Sequence, residues 1–232
     1  MMRIFLAATI CLCSTLLPTT RVGAATFSFS PSTTFEVGDG FSEPFDGQGD
    51  TDSVFPGNFD TVVLGTFGEN SENAEFDLSG FSIPREETIA RATFQVTVLP
   101  NETSGLGAPG QRPSSLVVRG YIGNGQPDAE DFQAGTILDT ADVSPELVEE
   151  LITFDVTSFI QNTVREQNDF AGFGVRAEAP GGLLLDRGTF SGNSPTLTIT
   201  TASVRATVPE PSSTIGILAC IFLGRVILGK RQ

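Results

Sequence analysis

From Ile89 to Leu99 the chain alternates without a break: Ala90, Ala92, Phe94, Val96 and Val98 are separated by Arg91, Thr93, Gln95 and Thr97. Successive side chains of a strand point to opposite faces. Strict period two therefore predicts a strand with one face in a core and one in water. A sheet with one apolar face needs a second layer over that face.

The rest of the interior agrees. Weak strand signals lie at Thr26–Ser30 and Thr33–Val37, and clearer ones at Asp60–Phe67, Ala74–Leu78 and Ile152–Val156. Gly172–Ala177, Leu183–Leu185 and Thr196–Thr201 read as strands too, while Leu116–Ile122 is apolar on both phases and reads as a central strand. Two short helices are predicted. Ser144-Pro145 would cap one over Glu146–Leu151, and Thr157 would open one carrying Phe159, Ile160 and Val164 on one side. Asp155 and Thr157 sit where strand becomes helix, so both side chains are expected to accept helix amide protons. With 25 Gly and 14 Pro to serve the turns, the expected fold class is all-β. The architecture expected is a jelly-roll-like β-sandwich with one or two short helices.

The two ends differ from this middle. Arg3 precedes the apolar stretch Ile4–Leu17, and Val22-Gly23-Ala24-Ala25 then offers small residues. That is the layout of a secretory signal peptide, with cleavage by signal peptidase expected after Ala24 and Ala25 as second choice. Neither Cys11 nor Cys13 follows a small residue, so a lipoprotein box is absent there.

At the other end stands Val208-Pro209-Glu210-Pro211-Ser212-Ser213, then an apolar run from Ile215 to Leu228 broken by Arg225, then Lys230-Arg231-Gln232. Pro209 and Pro211 hold the chain extended until Ser212 or Ser213 can cap a helix. Ile215–Leu223 can enter a bilayer while Lys230 and Arg231 stay on the cytoplasmic side. In order and position this end resembles the PEP-CTERM sorting tail of Gram-negative bacteria, over about the last 25 residues. The resemblance implies that Pro209, Glu210 and Pro211 are read by an exosortase. It also implies a temporary transmembrane helix in the inner membrane and delivery to the cell surface or an extracellular polysaccharide matrix. The expected division is a signal peptide over 1–24, a β-sandwich ectodomain over 25–205 and a sorting tail over 206–232.

Composition narrows the chemistry. The three cysteines, Cys11, Cys13 and Cys220, all lie in the end segments, so no disulfide is expected in the middle, which must rely on its core. Of the 28 acidic residues all but Glu210 lie between Ala25 and Val208, against eight arginines and no lysine. That stretch carries about −19 while the whole chain carries −15. Such a surface repels nucleic acid and anionic headgroups and keeps the protein soluble. With no histidine, His–Cys zinc sites and Ser-His or Cys-His nucleophile pairs are excluded. The glycines of 105–110 do not link a strand to a helix, so they make no phosphate cradle. No carboxylate pair stands out, and the chain is read as non-enzymatic.

A second resemblance runs through Phe76-Asp77-Leu78-Ser79, Ile89-Ala90-Arg91-Ala92-Thr93-Phe94, Phe154-Asp155-Val156-Thr157-Ser158-Phe159-Ile160, Gly172-Phe173-Gly174-Val175 and Pro195-Thr196-Leu197-Thr198-Ile199. The order is similar to the DNRLRE-type β-sandwich domain, related to a carbohydrate-binding module, over about Asn58 to Thr201. Members carry a Trp in the middle strands, and this chain has none. An aromatic platform for sugar rings would fall to Tyr121 and neighbouring Phe.

One constellation suits a metal. Asp46, Asp50 and Asp52 lie on a glycine-rich stretch whose hard oxygen donors fit Ca²⁺, with solvated turn residues as the alternative. No other cofactor is expected. Asp128, Glu130 and Asp131 form a second acidic loop. Three classes of function remain open: a structural or adhesive component of the envelope or matrix, a polysaccharide-binding module, and a hydrolase.

Overall fold

The alternating segment forms a strand over Glu87–Val98. In the computed structural model, residues 24–39, 51–57, 61–65, 68–100, 112–132, 134–146, 148–178, 181–188 and 192–203 are described. Within them the strands are β1 (Thr26–Phe29), β2 (Thr33–Asp39), β3 (Thr51–Pro56), β4 (Thr61–Gly65), β5 (Gly68–Asp77) and β6 (Glu87–Val98). They continue as β7 (Ser115–Ile122), β8 (Thr136–Asp142), β9 (Glu150–Asp155), β10 (Phe170–Ala177), β11 (Gly181–Leu184) and β12 (Thr196–Ser203). A helix α1 (Thr157–Arg165) joins β9 to β10, and a 3-10 turn covers Ala129–Phe132. The expected signal helix and C-terminal membrane helix lie outside the described residues. Among the described residues no helix is long and apolar enough to cross a membrane.

The strands make two antiparallel sheets. The smaller has the order β1-β12-β6-β9. The larger runs β8-β7-β10-β5-β2-β3. In it β4 shares the β10 edge of β5, pairing with residues 68–70 while β10 pairs with 72–77, and β11 lies beyond β4. One apolar core lies between the sheets, built from inward residues of both. Phe94 of β6 is at its centre. Its ring stacks on Phe173 of β10 at 4.8 Å and on Phe154 of β9 at 6.3 Å, and meets Phe76 of β5 edge-on at 5.9 Å. Offset and edge-on arrangements of this kind match the quadrupoles of the rings.

Several expectations are corrected. Ala90 is exposed and Ile89 is buried, the reverse of the alternation. The pairing with β12 jumps from Arg91↔Thr200 to Ile89↔Thr201, so a bulge at Ala90 flips the phase. The helix expected over Glu146–Leu151 does not form. Ser144 Oγ does accept the Glu146 amide at 3.2 Å, but Glu150 and Leu151 open β9, leaving too few residues to repay helix nucleation. Strands β3 and β8 and the 3-10 turn were not foreseen. Nor was the start of β5, six residues before Ala74. The helix at Thr157 does form, yet only half its cap is as expected. Asp155 Oδ1 accepts the Thr157 amide at 2.9 Å. Thr157 Oγ1 turns back to β6, where it accepts the Ala92 amide at 2.9 Å and donates to the Ala92 carbonyl at 3.3 Å.

Candidate functional site

The polar half of β5, Gly68-Glu69-Asn70-Ser71-Glu72-Asn73, reads poorly as a strand because it lacks β-branched and aromatic residues. It is held by partners on both edges, β2 on one and β4 with β10 on the other. Ala74 and Phe76 face the core, so Ser71, Asn73 and Glu75 face the far side of the large sheet, away from the other sheet. All three are nonetheless buried.

Two neighbouring strands complete this face. Glu75 is opposite Gly172 of β10, and Gly172 is opposite Tyr121 of β7. A Cβ on Gly172 would stand 2.3 Å from the Tyr121 ring, so glycine there lets the ring lie across the β10 backbone towards Glu75. Gly174 leaves the same room for Asn73, whose Oδ1 a Cβ would meet at 2.8 Å.

Between β7 and β8, residues 123–132 and 134–135 then fold back over this surface as a roof. The Gly125 amide donates to Glu75 Oε2 at 2.7 Å. Asp128 Oδ1 accepts the Glu130 amide at 3.0 Å, and Asp131 Oδ2 accepts the Asp128 amide at 3.2 Å, which closes the 3-10 turn on itself. Arg119 of β7 donates to the carbonyls of Ala134 and Gly135, the latter at 2.8 Å. The turn packs on β2 and β3, on the face where Phe35 and Val37 form a small second core with Val54. Under the roof Tyr121 is 4% exposed and Asp131 9%.

This burial sets the electrostatics. Asp131 is pushed up to about 7, first by desolvation and then by the charges of Asp128, Glu75 and Glu130, while the donated Asp128 amide pulls the other way. Glu75 is also raised, by burial above all, against the lowering donations from Gly125, Tyr121 and Asn124. The Tyr121 phenol is raised by burial and by the same acids. Its hydroxyl lies against Glu75 but makes no hydrogen bond of regular geometry. Glu75 Oε1 and Asn73 Oδ1 are buried acceptors that likewise make no hydrogen bond of regular geometry. Orphaned buried polar atoms are uncommon in a folded interior.

The sequence-derived candidates fall out as follows. Asp131 of the second acidic loop is buried in the 3-10 turn, and the loop bonds through Gly125 to Glu75, which the sequence did not single out. Among the described residues no three acidic, His or Cys side chains converge to hold a metal. Asp52 lies on β3, while Asp46 and Asp50 lie outside the described residues. Pro209, Glu210 and Pro211 also lie outside them. Tyr121 is no exposed platform, since the roof covers it. Ala24 is exposed, and the carbonyl of Ala25 accepts the Thr201 amide at 2.8 Å. Asn73, Gly172 and Gly174 were missed as parts of a site. Their signal was an Asn-rich run and a Gly-x-Gly pattern, both of which occur in strands for many reasons.

A second hollow, of about 560 Å³, lies on the outer face of the small sheet. Ser30, Gln95, Thr97, Asn193, Ser194 and Thr196 line it with hydroxyls and amides.

No protein-family model matches the chain, and no match was found among curated proteins. The architecture places it among all-β proteins of two packed antiparallel sheets, here with a roofed acidic site on the back of the larger one.

Proposed function

We propose that this is an exported, non-enzymatic protein of the bacterial envelope or extracellular polysaccharide matrix, structural or adhesive, displayed by a membrane-sorting tail. One observation supports this reading most. The described chain begins and ends on neighbouring strands. Thr26 pairs with Thr200 and Ala25 bonds to Thr201, while β12 runs on to Ser203 at the same end of the sheet. A leader before Ala25 and a tail after 205 would then both attach at one end, leaving the opposite end to face outwards. Cleavage after Ala24 keeps the Ala25 carbonyl on Thr201, whereas cleavage after Ala25 removes it.

The sandwich is read as a jelly roll. The chain turns back at the β7–β8 hairpin, and its two arms pair in succession as β6 with β9 and β1 with β12. Strand β5 is inserted between β2 and β10, where the next pair would meet.

A second reading, a polysaccharide-binding module, is favoured by the hollow. Thr97, Ser30 and Thr196 place it at the end opposite Ser203, and its hydroxyls and amides suit sugar hydroxyls.

The test is of sorting. Glu210 is the charged member of Pro209-Glu210-Pro211 and can give a processing enzyme a charge-assisted contact. In a host with an exosortase, Glu210→Ala should accumulate as full-length, membrane-bound protein while the wild type loses its tail. Identical mature C-termini and identical fractionation, read by mass spectrometry, would refute the sorting role.

A further inference from the structure

We propose that the open edge of β1 is a self-association site, where a second copy of this chain adds its own β1 antiparallel and joins two four-stranded sheets into one. The pairing is inferred from the edge itself and is independent of the sorting tail.

The small sheet has two edges. That of β9 is closed by β8, where Asp139 Oδ2 accepts the Asp155 amide at 2.7 Å. That of β1 has no further strand beside it among the described residues. The Thr201 amide donates to the Ala25 carbonyl, which makes Ala25 and Thr201 a hydrogen-bonded pair. Bonded and non-bonded pairs alternate along an antiparallel ladder. Phe27 and Phe29 therefore bond to β12, while the amides and carbonyls of Thr26 and Ser28 turn outwards, with Ser30 next in phase. All three of these residues are exposed. Thr26-Phe27-Ser28-Phe29 carries no charge, no proline and no register shift, the devices that keep edge strands from pairing.

The occupant follows from the edge's own complementarity. A strand that pairs antiparallel with its copy does so about a two-fold axis. With the axis at Ser28, outward-turned backbone meets outward-turned backbone. Ser28 exchanges both bonds with Ser28 of the second copy, and Thr26 meets Ser30. Phe27 then stands opposite Phe29 of the second copy, twice over. Both rings are half-buried on the inner face of the sheet, where Phe81 meets them edge-on at 5.2 and 5.5 Å. A hollow of about 470 Å³ opens beside these three rings, lined also by Ser79 and Ser82. The second copy's rings enter from this side and extend the aromatic cluster. Four residues alone make a weak ladder, and the rings add the apolar burial that a bare edge lacks. Like net charge opposes the approach, so salt should favour it. Antiparallel pairing points the two Ser203 ends in opposite directions, which suits copies on facing surfaces; that consequence alone rests on the adhesive reading.

The test uses the full chain in detergent solution, with Cys11→Ser, Cys13→Ser and Cys220→Ser as background. Residues opposite each other in a hydrogen-bonded pair have Cα atoms about 5.5 Å apart, within reach of a disulfide. Oxidised Ser28→Cys should therefore run mainly as a disulfide-linked dimer on a non-reducing gel. Thr26→Cys should give at least tenfold less, because its counterpart lies about 13 Å away along the strand. Sedimentation of the background chain should show a dimer that tightens several-fold as salt rises from about 20 mM to about 300 mM. Ser28→Pro removes an outward amide and no bond between β1 and β12, so it should weaken the dimer at least tenfold with little change in the urea midpoint. If that variant does not fold, the disulfide comparison decides alone. Equal cross-linking of Ser28→Cys and Thr26→Cys overturns the pairing, as does a folded Ser28→Pro that dimerises like the background. A Ser28→Cys chain that stays monomeric, its edge taken by another occupant, overturns it too.

Discussion

Replacing Phe94 by alanine tests whether the central packing of the sandwich is rightly described. The side chain is fully buried between the sheets, with Phe173 at 4.8 Å on one side and Phe154 at 6.3 Å and Phe76 at 5.9 Å around it. Large-to-small changes of a core Phe cost about 3–5 kcal/mol, the cavity term included. Three rings lose a partner at once, and two hydrogen-bonded sheets on either side resist collapse into the gap. The loss should therefore fall at the upper end, about 4–5 kcal/mol, a large share of the ~5–15 kcal/mol that holds a domain together. With a urea dependence of about 2 kcal/mol per molar, the unfolding midpoint should drop by about 2 M. Thr93, next to Phe94, points to the outer face of the small sheet, opposite Thr198 and Asp155. Thr93→Ala should cost no more than about 1 kcal/mol, or about 0.5 M. Urea titrations followed by Tyr121 emission compare the two directly. Equal midpoint losses would mean that Phe94 does not occupy the centre of the core.

Two further outcomes are expected. Gly172→Ala should destabilise by about 1–3 kcal/mol, because its methyl would stand 2.3 Å from the Tyr121 ring and must displace it from the roofed site; stronger acrylamide quenching at pH 5 checks the displacement. Thr157→Val should cost about 1–3 kcal/mol by leaving the Ala92 amide without its 2.9 Å acceptor, and Thr157→Ser should recover most of it, as thermal unfolding of the two variants would show.

What could be read from the chain depended on whether a residue's environment was local. The alternation of 91–98 reports one apolar face directly, and β6 follows it. The bulge at Ala90 depends on a register jump in β12, more than a hundred residues away, so no local pattern carries it. Helix α1 was legible because Asp155 and the apolar Phe159, Ile160 and Val164 lie within three turns of each other. The helix over 146–151 was misread because a good cap says nothing about the strand partner waiting for Leu151, which is Thr97. The acidic site was illegible for a similar reason. Glu75 and Asp131 are 56 positions apart, and only the folding-back of the loop over the sheet buries Asp131. The six polar residues ahead of Ala74 became a strand because both edges were occupied, a tertiary override of weak propensity.

The position of β12 has a mechanical consequence. The strand lies inside the small sheet, with β1 along one side and β6 along the other, and it ends at Ser203. Consider tension applied at Ser203 and resisted at the opposite end, where Gln95 and Thr196 line the hollow. That pull runs along the strand and perpendicular to its ladder bonds. The bonds to β6 then bear the load together, in shear, instead of opening one at a time like a zipper. Had this strand lain at the edge of the sheet and been pulled sideways, the same number of bonds would yield in sequence under a far smaller force.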